Sequence, residues 1–80
     1  DAPSPETRLD DQRKAQALQR ALRDLPDALK GPLLLATLEG RSHAEIASIL
    51  GITPKAVETR VARARKTLTA ALAQASGGNA

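Results

Sequence analysis

An all-α fold, a small domain of four helices, is predicted for this 80-residue chain by three observations. Apolar residues recur three and four positions apart, the spacing of one helix face. Phe, Tyr, Trp, Met and Cys are absent, so the core must be built from Leu, Ile, Val and Ala. Those side chains suit closely packed helices more than a β-sandwich. Proline or glycine, beside a capping residue, also stands wherever the helical period breaks. A chain of this size forms one small domain and buries a modest share of its surface.

The first helix is predicted over 5–23. Ser4 is placed to cap it, Pro5 to occupy its first position, and acids fill the opening turn. Leu18, Leu22 and Leu25 give it an apolar stripe, with Ala15 and Ala21 alongside. Asp24-Leu25-Pro26 ends it, because residues before proline avoid the α region. Pro26 then opens a second helix expected to reach Glu39, with Gly40 as its stop. Gly31-Pro32 lies inside that segment, where a proline removes a backbone donor and crowds the preceding turn. A bent or broken helix is the expectation.

Ser42-His43-Ala44-Glu45 is a capping box, S-x-x-E, and predicts a third helix over 43–50 that buries Ile46, Ala47, Ile49 and Leu50. Gly51 supplies the left-handed turn that ends it. Thr53-Pro54 repeats the cap-plus-proline start for a last helix reaching about residue 73. Its inward stripe is Val57, Val61, Ala64 and Leu68. Residues 1–4 are expected to be the end of a linker, 5–73 the domain, and 74–80 a disordered tail. A Pro-rich start without an initiator Met suggests a piece of a longer protein.

Several function classes find no support. There is one His and no Cys, and neither a nucleophile elbow nor a phosphate-binding glycine loop, so the chain is expected to be no enzyme and to carry no cofactor or metal. No apolar run approaches the roughly 20 residues of a membrane span, and no signal peptide is visible. Net charge is only +3, but its distribution is uneven. Residues 1–24 carry five bases and five acids, and residues 25–53 two bases and three acids. Residues 54–80 carry Lys55, Arg60, Arg63, Arg65 and Lys66 against Glu58 alone. That excess is the footprint of a polyanion-binding element, or of a solvated helix surface.

A short capped helix, a glycine-centred turn and a second capped helix follow the grammar of helix-turn-helix. Ala47 is small enough for the two helices to cross closely, Gly51 permits the turn, Ile52 fills the angle, and Val57 anchors the second helix. The fold is thus winged-helix-like in class, without a wing, and the front of the last helix is free to enter a major groove. An ordinary helical hairpin is the plain alternative.

Residues 25–68 also resemble region 4 of bacterial sigma factors of the sigma-70 family, especially the extracytoplasmic-function group. That group characteristically reads L-P-x-x-x-R-x-x-x-L-L, E-G-x-S-x-x-E-I-A-x-x-L-G and T-V-x-x-R-x-x-R-A-R-x-x-L. Here the pattern is met by Leu25-Pro26, Glu39-Gly40, Ser42, Glu45-Ile46-Ala47, Leu50-Gly51, Val57, Arg60, Arg63-Ala64-Arg65 and Leu68. Lys30-Gly31-Pro32, Ala56 and Glu58 depart from it. The resemblance implies an alternative sigma factor's promoter-recognition domain, its recognition helix in the major groove of the −35 element. It further implies double-stranded promoter DNA, the β flap of core RNA polymerase and an anti-sigma factor as partners, in a cytoplasmic, monomeric protein without membrane contact.

With Val57 as the centre of the buried face and 100° per residue, Val61, Ala64 and Leu68 fall within about 40° of it. Lys55, Thr59, Ala62 and Lys66 gather opposite, flanked by Glu58 and Arg63, while Arg60 and Arg65 border the core. Thr59, Ala62 and Arg63 are therefore candidates for base-edge contact. Glu58 joins them, able to accept from a cytosine amino group or to repel a misplaced phosphate. An intrahelical bridge to Arg65 or a solvated side chain is its plain alternative. Lys55 and Lys66 are phosphate candidates, as are Arg41, Ser42 and His43 at the opening of the third helix. Arg60 is either a phosphate contact or a structural partner of Glu45 or Glu39. Two other functions remain open: a LuxR-type response-regulator output domain, which shares E-I-A but typically lacks R-A-R, and a sigma-like interaction module bound mainly by an anti-sigma factor.

Overall fold

The computed structural model describes residues 5–75, with side chains described at Leu9 and from Asp11 onward. Four helices follow in order: α1 (Pro5–Asp24), α2 (Asp27–Thr37), α3 (His43–Leu50) and α4 (Pro54–Ala75). The expected Ser4 cap, the linker at 1–4 and the tail beyond 75 lie outside the described residues. Residues 74 and 75, expected in that tail, continue α4. The Ala-rich composition that carries the helix to residue 73 does not change there, so nothing stops it.

Leu25–Lys66 form one compact unit, while α1 and the end of α4 from Thr67 belong to another. In the first, Leu25, Leu33, Ile46, Ala47, Val57, Val61 and Ala64 are buried, with Pro32. Ile46 and Val57 are fully inaccessible at 0% exposure. No polar or charged side chain is buried among the described residues, so the interior is stabilised by apolar area and close packing alone. In the other unit, Leu18, Ala21 and Leu22 of α1 and Leu68, Ala71 and Leu72 of α4 are half-buried at helical spacing. Ala15, expected on the α1 stripe, is exposed.

α2 differs from its expectation in one important way: it runs unbroken through Pro32. Part of the proline penalty is steric, a clash of its ring with the Cβ of the residue before it. Gly31 has no Cβ, so the pair Gly31-Pro32 removes that clash at source. Pro32 is itself buried to below 2% exposure, so its ring packs within the core. The helix begins one residue later than expected, on Asp27, with the Leu29 and Lys30 amides both donating to the Pro26 carbonyl at 2.9 Å. It ends at Thr37 rather than Glu39. There the Thr37 hydroxyl donates to the Leu33 carbonyl at 2.8 Å. The Leu38 amide donates to Leu34 at 2.8 Å and the Arg41 amide to Leu35 at 3.1 Å, around a left-handed Gly40 (φ 64). Carbonyls that the last turn leaves over are thereby satisfied.

Candidate nucleic-acid interface

α3, its turn and the front of α4 are held by hydrogen bonds at every end. The capping box is complete: the Ser42 amide donates to Glu45 Oε1 at 2.9 Å, and the Glu45 amide donates to Ser42 Oγ at 3.1 Å. At the other end Gly51 is left-handed (φ 71), and its amide and that of Ile52, the latter at 3.0 Å, converge on the Ala47 carbonyl. Two amides on one carbonyl across a left-handed glycine make a sharp, well-determined turn. Thr53 Oγ1 then accepts the Ala56 amide at 3.1 Å, capping α4 just before Pro54. Ile46 and Ala47 from α3 and Val57, Val61 and Ala64 from α4 supply the buried residues of these two helices.

The buried set of α3 is narrower than the sequence suggests. Ile49 is 54% exposed and Leu50 38% exposed. Ile49 projects about 110° from the midpoint of Ile46 and Ala47, and Leu50 is the helix's last residue. An eight-residue helix has room for one buried turn, and hydrophobicity alone misassigns the rest. Leu38, after α2, is also exposed, at 78%.

On α4, Lys55, Glu58, Ala62, Arg63 and Lys66 are all exposed, opposite the buried Val57–Val61–Ala64 stripe. Thr59 and Arg60 are half-buried, so Thr59 offers less of itself than its wheel position promises. Arg41, Ser42 and His43 are exposed at the start of α3. All ten candidate contact residues thus fall on the two helices of the motif or the residues leading into them.

Two ion-pair expectations are corrected. Glu39 and Glu45 pair with Arg41, not with Arg60: Arg41 Nε lies 3.3 Å from Glu39 Oε1 and Nη1 3.8 Å from Glu45 Oε2. Arg41 is four residues before Glu45 and two after Glu39, so local spacing favours it. Glu58 meets Lys55 Nζ at 3.7 Å, not Arg65. Lys55 is one turn away from Glu58, whereas Arg65 is about two turns on, roughly 10 Å along the axis. These pairs are solvent-exposed and weak, but they set which cations meet a carboxylate before any ligand arrives. The Arg41 pairing was missed in the sequence, although the Arg41–Glu45 spacing of four was there to find it.

The Glu45 carboxyl is held below its usual pKa, chiefly by the Ser42 amide it accepts from; desolvation opposes this, and the Ser42 hydroxyl and the Arg41 charge add smaller lowering effects. At neutral pH an anion therefore already sits at the α3 N-terminus, where the helix dipole favours one. The Ser42 amide is consumed by the cap, and its hydroxyl accepts the Glu45 amide there.

Among the described residues no group of three His, Cys, Asp or Glu could hold a metal ion, and no helix is long and apolar enough to cross a membrane. A family model described as sigma-70, region 4, matches residues 15–68. The chain is 40% identical over 72 residues to the RNA polymerase sigma factor NccH of Alcaligenes xylosoxydans xylosoxydans, an alignment covering 90% of this chain and 39% of that protein. It is 36% identical over 78 residues to the ECF RNA polymerase sigma factor SigE of Mycolicibacterium smegmatis, covering 98% of this chain and 30% of the relative. The chain thus spans well under half the length of these two relatives.

Proposed function

Because the chain belongs to the sigma-70 region 4 family, we propose that it is the DNA-binding domain of an alternative sigma factor of the extracytoplasmic-function group, recognising the promoter −35 element. The observation that carries this is the exposed row Lys55, Glu58, Ala62, Arg63 and Lys66, on a helix capped by Thr53 and anchored through Val57 and Val61. Glu58, Thr59, Ala62 and Arg63 face base edges: hydroxyl and methyl groups suit bases and thymine methyls, and a guanidinium can take guanine by two bonds. Lys55, Arg60 and Lys66 hold phosphates from α4, and Arg41, Ser42 and His43 hold them from the start of α3. Phosphate contacts fix the register of the helix, and base contacts select the sequence.

Both relatives are RNA polymerase sigma factors, which supports docking on polymerase; this reading assigns the β flap as the surface met. Exposed Leu38 and Ile49 offer apolar area to a protein partner, polymerase or an anti-sigma factor. Such a role belongs to a monomer acting in the cytoplasm. The family match gives the LuxR-type alternative no support. The direct test is a titration against a panel of −35 duplexes and an unrelated duplex, from low to physiological salt. Affinity is expected to fall steeply with salt and to differ among sequences. Salt-independent binding, or equal affinity for every duplex, overturns the proposal.

A further inference from the structure

Arg41 stands between two carboxylates, of which Glu45 is itself held in the helix cap. Glu45 uses one oxygen, Oε1, to accept the Ser42 amide at 2.9 Å and presents the other, Oε2, to Arg41 Nη1 at 3.8 Å. Glu39 Oε1 accepts from Arg41 Nε at 3.3 Å. The Arg41 backbone is fixed as well, its amide donating to the Leu35 carbonyl at 3.1 Å. Cap, turn and guanidinium therefore share one small network at the mouth of α3, which is also where a DNA phosphate would seat.

We infer that Glu45 is a specificity-determining residue: its carboxylate competes with DNA phosphate for Arg41 and so suppresses binding to duplexes on which the recognition helix is out of register. The inference rests on the proposed DNA interface and adds to it. A phosphate at this helix mouth competes with Glu45 for the Arg41 guanidinium and approaches a carboxylate that stays charged. In register, base contacts along α4 offset that exchange. Out of register, nothing does, because phosphate contact is the main source of affinity for unrelated DNA. Exposed pairs of this kind are weak, so the effect is several-fold and not many orders of magnitude.

The test compares wild type, Glu45→Gln, Arg41→Ala and the double variant on an unrelated duplex and on the preferred −35 duplex, at 50 and 200 mM salt. Glutamine is accepted in a capping box, so E45Q keeps the bond to the Ser42 amide and removes the charge. Freeing one cation for phosphate steepens the salt slope by about 0.9 log units, which makes the E45Q advantage on unrelated DNA about threefold larger at 50 mM than at 200 mM. The ratio of preferred to unrelated affinity is expected to fall, and the double variant to lose the gain. Glu39→Gln, which leaves the capping box untouched, is expected to act in the same direction more weakly, and it decides the matter should E45Q not fold. Unchanged affinity in E45Q, or a gain that survives in the double variant, overturns the role of Glu45 alone. A wild type without salt-dependent duplex binding instead overturns the DNA interface, and this inference with it.

Discussion

Gly31→Ala is the substitution on which the account of α2 turns. An added Cβ at Gly31 meets nothing within 4 Å beyond its chain neighbours and the helix's own backbone. Judged by helix propensity alone, alanine should therefore stabilise the helix by about 0.8–1 kcal/mol. The neighbour that matters is Pro32, whose ring opposes a Cβ on the preceding residue in the α conformation. The gain should therefore be cancelled or reversed when Pro32 is present, and recovered in a Pro32→Ala background. In a domain of this size it corresponds to roughly 4–8 °C in Tm. Thermal and urea melts of the four proteins, followed by far-ultraviolet circular dichroism, measure the coupling, which should be at least about 0.5–1 kcal/mol. Equal stabilisation by Gly31→Ala in both backgrounds would refute the claim that this glycine makes the internal proline tolerable.

Val57→Ala removes two methyl groups from a fully buried site and should cost about 2 kcal/mol of stability, whereas Ile49→Ala should cost under about 0.5 kcal/mol; equal losses in urea melts would contradict the packing. Arg63→Ala should narrow the affinity differences among −35 duplexes, while Lys66→Ala should weaken all of them alike and lower the salt slope by about 0.9. Glu58→Lys should raise affinity for every duplex and change which bases are preferred near its contact, read from the same panel. The Glu45 carboxyl has a lowered pKa in the folded chain, so the stability it lends is present above the unfolded value near 4.5 and is lost as pH falls through the folded value. Glu45→Gln should flatten that acidic limb of a stability–pH profile by lowering the neutral plateau while leaving stability at low pH nearly unchanged.

What was legible in the sequence is what neighbouring residues decide between themselves. Ser42 and Glu45, the left-handed Gly51 and the Thr53-Pro54 start are all local devices, and each stands where its spacing places it. Val57, Val61 and Ala64 were legible because α4 is long enough for a stripe to average out error. The break that Pro32 could make in α2 does not occur, because a rule about prolines takes for granted a Cβ that Gly31 lacks. Ile49 was misjudged because apolar character does not say which turn of a short helix meets a neighbour. In the candidate interface, the sequence offered candidate residues but not their partners in the folded chain. Arg41, Glu39 and Glu45 meet across a turn whose path is set by Gly40 and the Arg41–Leu35 hydrogen bond.

The interior of the Leu25–Lys66 unit contains only aliphatic side chains, with no buried polar group among the described residues. Such an interior attracts without the directionality of hydrogen bonds. Direction in this unit comes instead from its helix ends, where the Ser42, Gly51 and Thr53 caps form oriented hydrogen bonds. The caps act as the index marks of the fold and the core as its adhesive. A core substitution should therefore loosen this protein, whereas a cap substitution should leave it compact but misalign the helix proposed to address DNA.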